Sequence, residues 1–454
     1  MTKDLSTGKP FAVIVSFLIP VWLGLLLQQL YSVVDTVIVG QFVGADALGG
    51  VGSASALHFL IMGSCIGLCE GFCVPVANSF GAGDHSLLRC YVANAIWLCI
   101  ASAVLLVALA GPNCGRLLRV LQTPEENYSH AYNYLVVIFY GAPLTLLYNL
   151  SAGVIRALGD SKAPLLFLAV AAVLNVGLDL VTILVLGMGT DGAAWATVIS
   201  QGVSGLLCVV YMRKKLSLLR FAPGELQWRG VLARRLLANG IPMGMQYAVT
   251  AVGSVILQRA INLLGTAYVN AFAAAGRIHA LLVSPLQAMQ AAMATYFGQN
   301  TGARRLDRIR SGLRVGMVLA VIFCVLYLLP TWLCTPQMSA LLLGDVDGQT
   351  VDLIRQFLLS VGASAWLLGL LHTYRPCLQG MGYSGLAIFC GVMEMIARVG
   401  GAVILVPWLG YVGACMGDTA APWVLSVLYA MPMTYVCLRH LETRLKQEQV
   451  GEVL

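Results

Sequence analysis

Apolar residues run through this chain in twelve long blocks, centred near Leu25, Met62, Val104, Val137, Val173, Ser200, Val249, Leu281, Val321, Ala365, Val399 and Leu425. Each block is long enough for the roughly 20 residues that an α-helix needs to cross a bilayer. The blocks are continuous and rich in Ala, Leu and Gly, whereas membrane barrel strands would alternate over about ten positions. The pattern predicts an all-α integral membrane protein with twelve transmembrane helices. It is also written twice. Asn78-Ser-Phe-Gly81-Ala82-Gly-Asp84, followed by Arg89, meets Gln299-Asn-Thr-Gly302-Ala303-Arg-Arg305, followed by Arg310, 221 positions later. At the same offset Asp191-Gly192-Ala193-Ala194 meets Val412-Gly413-Ala414-Cys415. Two pseudo-symmetric six-helix lobes follow: the first at 1–212, a cytoplasmic linker at 213–233, the second at 234–440 and a cytoplasmic tail at 441–454. With an even number of spans per half, the repeats are parallel and related by an axis along the membrane normal.

Composition agrees. Hydrophobic residues make up 59% and charged residues only 10%, against roughly 25% charged in soluble chains. The net charge of +7 is concentrated at Lys3, Lys9, 213–235, 304–314 and 439–446, with Arg89 and Lys162 on the same side. The opposite loops carry Arg116, Arg119 and Arg355 beside Glu125, Glu126, Asp345 and Asp347. The positive-inside rule then places both termini in the cytoplasm, in what is expected to be a bacterial inner membrane. These charges read as membrane anchors and not as a nucleic-acid surface. The first block, about thirty residues long and carrying Asp35, is too long and too polar for a cleavable signal. Nearly all of the 13 cysteines lie inside the blocks. Cys65, Cys69 and Cys73 share a helical face, which reads as small-residue packing, with a soft metal site as the alternative. No Gly-x-x-x-x-Gly-Lys-Ser/Thr phosphate loop is present, so any pumping draws on an ion gradient or a partner.

An ionised side chain at the bilayer centre costs about 2.5 to 3.5 kcal/mol on insertion scales, so acids in these blocks call for a reason. In the first block Gln28, Tyr31, Ser32 and Asp35 follow a spacing of three and four and share one helical face. Asn175, Asp179 and Thr182 do the same in the fifth. The sixth adds Thr197, Gln201 and Ser204, and the fourth adds Tyr148 and Asn149. Two carboxylates with amide and hydroxyl oxygens suit a hard cation such as Na+ at Asp35, Asn175 and Asp179. They suit a proton equally, and a structural hydrogen-bond network is the plainer alternative. Pro20 and Pro242 are repeat equivalents within one residue, and each is either a hinge or a packing feature. The second half differs. Glu394 and Arg398 stand four apart as an expected salt bridge, structural or gating, and Arg398 takes the place of Asn175 in the repeat. Asp418 is a further partner for the arginines, among them Arg259, Arg277 and Arg375. Glu70 is expected to line a cavity or meet an arginine. His58, His279 and His372 read as helix contacts.

Three stretches resemble the MATE (multidrug and toxic compound extrusion) family. They are Gln28-Gln29-Leu-Tyr31-Ser-Val-Val-Asp35-Thr-Val-Ile-Val-Gly40, Gly298-Gln299-Asn300-Thr301-Gly302-Ala303, and Gly153-Val-Ile-Arg156-Ala-Leu-Gly159-Asp160-Ser161. The resemblance implies two lobes in a V that open alternately to each side. It implies export of bulky, often cationic organic compounds in exchange for protons or sodium. It also implies a coupling site made of Asp35, Asn175, Asp179 and Thr197, around which Gln28, Tyr31, Asn149 and Gln201 form a polar shell. Acids that other members carry in spans seven and ten are missing here. The expected partners are small organic substrates and the bilayer, with a monomeric chain, no cofactor beyond the coupling ion and no enzymatic activity. The alternative is a lipid-linked oligosaccharide flippase of the same superfamily, for which Arg259, Arg277, Arg375 and Arg398 would supply positive charge. A membrane enzyme would need a nucleophile–base or His-Glu-x-x-His constellation, and none is found.

Overall fold

Lipid offers no partner to a backbone N–H or C=O, so a chain this apolar must satisfy its peptide groups inside its own helices. The computed structural model describes residues 4–120, 123–343 and 347–453, which leaves Lys3 and Asp345 outside. Among the described residues there is no strand, and twelve spans are long and apolar enough to cross a membrane. The first six are α1 (Pro10–Phe42), α2 (Ala45–Gly81), α3 (His85–Val120), α4 (Glu125–Ala157), α5 (Lys162–Asp179) and α6 (Thr190–Lys215). The next five are α7 (Gly230–Asn262), α8 (Thr266–Gly302), α9 (Leu306–Leu343), α10 (Gly348–Gly380) and α11 (Ser384–Gly400). The twelfth is broken into α13 (Tyr411–Asp418) and α14 (Ala420–Val453), preceded by the single turn α12 (Val406–Leu409). The expected tail at 441–454 thus continues α14 as far as Val453. Val104, Leu105, Leu109, Val173, Val321 and Leu428 are among the large apolar side chains left exposed, as lipid-facing surfaces require.

The sequence repeat reappears in the backbone. Gly44 (φ 124) caps α2 and Gly265 (φ 112), 221 positions on, caps α8. After α2, Ala82 donates to the Asn78 carbonyl and Asp84 to that of Ser79, with Gly83 in the left-handed region at φ 73. After α8, Ala303 donates to Gln299 and Arg305 to Asn300, with Arg304 at φ 55 in the place of Gly83. The turns that open α5 and α11 hold Gly159 (φ 82) and Gly382 (φ 87), 223 positions apart. At that spacing Asn175 corresponds to Arg398.

The chain packs as two units. One is built on Leu23–Ala248, the other on Leu5–Trp22 and Val249–Leu454. The helices α1 and α7 are each shared, α1 changing unit between Trp22 and Leu23, two residues beyond Pro20.

In the second unit the Gly298–Ala303 motif holds the start of the chain. Gln299 Oε1 accepts the Leu5 N–H at 2.8 Å, and Asn300 Nδ2 donates to the Leu5 carbonyl at 3.4 Å. Arg308 donates to Asn300 Oδ1 at 2.9 Å and to the carbonyls of Leu5, Thr7 and Gly8 at 2.7–3.1 Å. The motif is therefore a structural clasp. The Asp160 of the third motif is structural as well: its Oδ1 accepts the Lys162 and Ala163 N–H groups that open α5, and its Oδ2 accepts the Tyr211 hydroxyl at 2.7 Å.

In the first unit α2 and the start of α7 meet through glycines. A Cβ added at Gly71 would lie 2.5 Å from the Gly240 Cα and 2.7 Å from the Asn239 carbonyl oxygen, so these backbones touch without side chains between them. The linker lies against α3. Arg89 donates twice to Glu225, at 2.6 and 2.8 Å, while Ser86 and the Ala222 N–H donate to the same carboxylate. Trp97 Nε1 donates to the Leu226 carbonyl at 3.0 Å and Asn94 Oδ1 accepts the Arg229 N–H. The Arg89 guanidinium holds the Glu225 carboxyl down at about 2.

Gly71→Ala is expected to destabilise the protein by about 1–3 kcal/mol through overpacking. Gly276→Ala, where nothing lies within 4 Å of the added Cβ, is expected to be neutral or slightly stabilising. Thermal melting in detergent compares the two. For the linker, a carboxyl held near 2 in the folded state against about 4.3 unfolded contributes order that is present above about pH 4.3 and lost as pH falls through about 2. Hydrogen exchange of residues 217–226, corrected for intrinsic rate, is expected to stay flat down to about pH 4 and rise below it. Glu225→Gln raises it already at neutral pH.

Candidate cation site and a charged network

The polar stripes of α1, α5 and α6 lie in the same unit, and all three contribute to one small cavity. Its lining is Tyr31, Leu168, Ala171, Asn175, Thr197, Ser200, Gln201 and Ser204, with about 10 Å³ of room for the centre of a water-sized sphere. That is space for about one water or a bare cation and far too little for a bulky organic compound. Asn175 is 2% exposed and Asp179 is fully buried.

The hydrogen-bond inventory singles this region out. Among the described residues, neither oxygen of Asp179, neither amide atom of Asn175, nor Oδ1 of Asp35 has a hydrogen-bond partner. The same holds for Gln201 Oε1 and the hydroxyls of Ser200 and Ser204. The amides of Gln28 and Gln201 interact with the Tyr31 hydroxyl. A buried polar group without a partner costs about 1–3 kcal/mol and a buried carboxylate more, so such a cluster is unfavourable unless something neutralises it. Oxygen donors in this number suit Na+, and the carboxylates suit a proton.

Local structure helps. Directly after Asp179, α5 passes into a π-helical turn, Leu180–Val185. Turns of this kind are rare and concentrate at functional sites. Thr182 spends its hydroxyl on the Leu178 carbonyl at 2.9 Å. Of the expected set, Asn175, Thr197, Tyr31 and Gln201 line the cavity, whereas Asp35, Asp179, Gln28 and Asn149 do not; the Asn149 amide donates to the Thr145 carbonyl of its own helix at 2.8 Å. Ser200 belongs to the lining and is absent from the sequence-based set, although its spacing from Thr197, Gln201 and Ser204 completes one α6 face. Pro20 and Pro242 lie inside α1 and α7 and not in the lining.

In the second unit α11 also ends in a π-helical turn, Gly401–Leu405, but its buried charges are matched. Glu394 Oε1 accepts from Arg375 Nη1 at 3.1 Å, and Glu394 Oε2 lies 3.5 Å from Arg398 Nη1. Arg398 Nε donates to Asp418 Oδ1 at 3.3 Å, and Arg375 Nη2 donates to Gln290 Oε1 at 2.7 Å. The expected Glu394–Arg398 pair is therefore one link in a four-charge network spanning α8, α10, α11 and α13. The sequence spacing could reveal only the pair four apart. Arg259 and Arg277 are exposed and stand outside it.

Glu70 accepts from the Tyr247 hydroxyl at 3.5 Å. His372 Nδ1 meets the Leu286 carbonyl at 2.8 Å and His279 Nδ1 the Tyr327 hydroxyl at 3.0 Å, while His58 stands edge-on to Tyr134. No group of three His, Cys, Asp or Glu able to hold a metal occurs among the described residues, the Cys65–Cys69–Cys73 face included.

Because Asp179 has no partner to lose, Asp179→Asn is expected to leave the melting temperature unchanged or to raise it. Glu394→Gln, which strips a carboxylate from two buried guanidiniums, is expected to cost about 3–5 kcal/mol. Both are read by thermal melting of the purified protein. A clear loss of stability in Asp179→Asn would make that residue structural.

The MatE family profile matches residues 20–181 and 242–404, one match in each half. The "Probable multidrug resistance protein YpnP" of Bacillus subtilis is 31% identical over 307 residues, covering 67% of this chain and 68% of its own. The "Probable multidrug resistance protein NorM" of Thermotoga maritima is 24% identical over 405 residues, covering 87% of this chain and 86% of its own. A crystal structure of MATE in complex with MaL6 superposes with a TM-score of 0.90 at 22% identity, covering 98% of this chain and 100% of that one. With twelve membrane helices in this fold and a family match in both halves, the chain belongs to the MatE family of multi-pass membrane transporters.

Proposed function

We propose that the chain is a secondary active exporter that expels small organic compounds, often cationic, in exchange for protons or sodium by alternating access. The observation that carries the coupling part is the set of partnerless buried atoms of Asp35, Asn175 and Asp179, of which Asn175 lines a cavity sized for one small ion. Family membership and the printed names of the relatives support the export of organic compounds. The distribution of basic residues supports cytoplasmic termini.

In this reading Asp179 is the primary ligand of the coupling cation, and Asn175 and Thr197 complete its shell. Asp35 is the switching carboxylate. Both acids sit where an uncompensated negative charge is costly, so taking up a proton or Na+ removes that cost and lets the polar face of α1 repack against α5 and α6. Pro20 has no backbone N–H to donate and its ring crowds the preceding turn, which weakens α1 just before Trp22 and makes bending there cheap. Loss of the cation on the other side restores the charge and the starting arrangement. The alternation of these two states moves substrate out as the ion moves in.

The flippase reading asks for guanidiniums free to meet a pyrophosphate. Of the four arginines that would serve it, Arg375 and Arg398 are engaged by Glu394 and Asp418, which leaves only the exposed Arg259 and Arg277, and this favours the exporter.

Efflux of a fluorescent organic cation from proteoliposomes, under a pH gradient or a sodium gradient imposed separately, tests the proposal. Transport is expected to follow one of the two gradients. Asp35→Asn and Asp179→Asn are each expected to reduce it at least about a hundredfold, the scale of losing a group that the coupled step requires. Asn149→Ala is expected to leave it within about twofold, since that amide is spent on the Thr145 carbonyl of its own helix. Normal efflux by both aspartate variants would eliminate this mechanism.

A further inference from the structure

A second cavity, of about 260 Å³, lies between α9 and α14 in the second unit. Its lining includes Arg310, Arg314 and Arg439, with Leu313, Met317 and Leu438. Arg310 and Arg314 are one helical turn apart on α9, and Arg439 comes from α14. No carboxylate is in the lining. Glu442, outside it, lies 2.6 Å from Arg310 and 3.2 Å from Lys446. No ion pair is recorded for Arg314 or Arg439 among the described residues. Both are exposed, and Leu313 and Leu438 are buried. The cavity therefore joins a guanidinium cluster to an apolar floor, at the end of the bundle where α9 begins and α14 leaves its apolar stretch.

Arginines at the ends of membrane helices commonly do no more than snorkel to the interface. Three features go beyond that here: they come from two helices, they converge on one cavity, and the charge they gather exceeds what Glu442 offsets. We propose that this cavity is a binding site for an anionic glycerophospholipid, with the phosphate between Arg310, Arg314 and Arg439 and the start of an acyl chain against Leu313, Met317 and Leu438. Guanidiniums meet phosphate oxygens through paired, charge-assisted hydrogen bonds, and basic pockets between membrane helices suit such headgroups. The apolar floor selects a lipid over a free phosphate ion.

The test uses the full chain purified in a neutral detergent, titrated with dioleoyl phosphatidylglycerol, dioleoyl phosphatidylcholine or inorganic phosphate while the melting temperature is followed. Phosphatidylglycerol is expected to raise the melting temperature saturably, and the other two are expected to give no comparable rise. The double variant R314Q/R439Q is expected to weaken the apparent affinity for phosphatidylglycerol by about tenfold or more. R234Q, which removes an exposed arginine of α7 that is not in this cavity's lining, is expected to keep it. Equal stabilisation by phosphatidylcholine, equal stabilisation by phosphate, or unchanged affinity in the double variant would each overturn the proposal. Should the double variant fail to fold, R439Q alone, with the comparison of the two lipids on the unmodified chain, decides the matter in the same way.

Discussion

The cost of a buried polar group that finds no partner governs this molecule at every level. It forces the chain into helices long enough to cross lipid. It also explains small details of packing. Asn94 turns its amide to the Cys90 carbonyl and its oxygen to the Arg229 N–H. Arg308 reaches three backbone carbonyls and an amide oxygen at once. Glu394, deep in the second unit, meets two guanidiniums. Against that background, the unsatisfied atoms of Asp35, Asn175 and Asp179 stand out as a departure concentrated in one place. Elsewhere among the described residues such atoms occur singly, at Thr301, Ser339, Gln379, Arg398 and Tyr411.

The two repeats share a backbone and divide the chemistry. The same turn follows α2 and α8, and a π-helical turn ends both α5 and α11. At the spacing set by Gly159 and Gly382, an amide in the first half, Asn175, corresponds to a guanidinium in the second, Arg398. One half is left with two acids and no permanent counter-charge. The other carries two arginines balanced by Glu394 and Asp418. A lobe whose charge is already neutralised gains little from taking up an external cation, whereas a lobe with bare acids gains much. The asymmetry in charge, without any asymmetry in fold, is what supports the proposed coupling role of the first half.

Most of the architecture was legible in the sequence because membrane helices announce themselves by length and hydropathy, and because a repeat shows its own offset. The twelve spans follow from those two signals, whereas the joint placement of the α1, α5 and α6 stripes was an implication of the family resemblance. The break of the last span at Thr419 and the π-helical turns did not, since they depend on tertiary packing that no local pattern encodes. The bond of Asn149 to Thr145 is visible only once α4 is built. Ser200 escaped notice because serine is also a common packing residue, although its position on the α6 face was available. The partners of Arg375 lie 19 residues ahead and 85 behind in sequence, distances at which spacing says nothing.

The central claim is that the buried acids of the first unit hold the coupling cation. It is tested most directly by measuring ion uptake at equilibrium, with no substrate and no membrane potential. Purified protein in weakly buffered detergent is titrated with radioactive sodium and, separately, with acid while bound protons are counted. The unmodified chain is expected to take up Na+ or protons saturably, and Asp179→Asn is expected to lack that uptake while melting normally. Equal uptake of both ions by the unmodified chain and by Asp179→Asn would contradict the account.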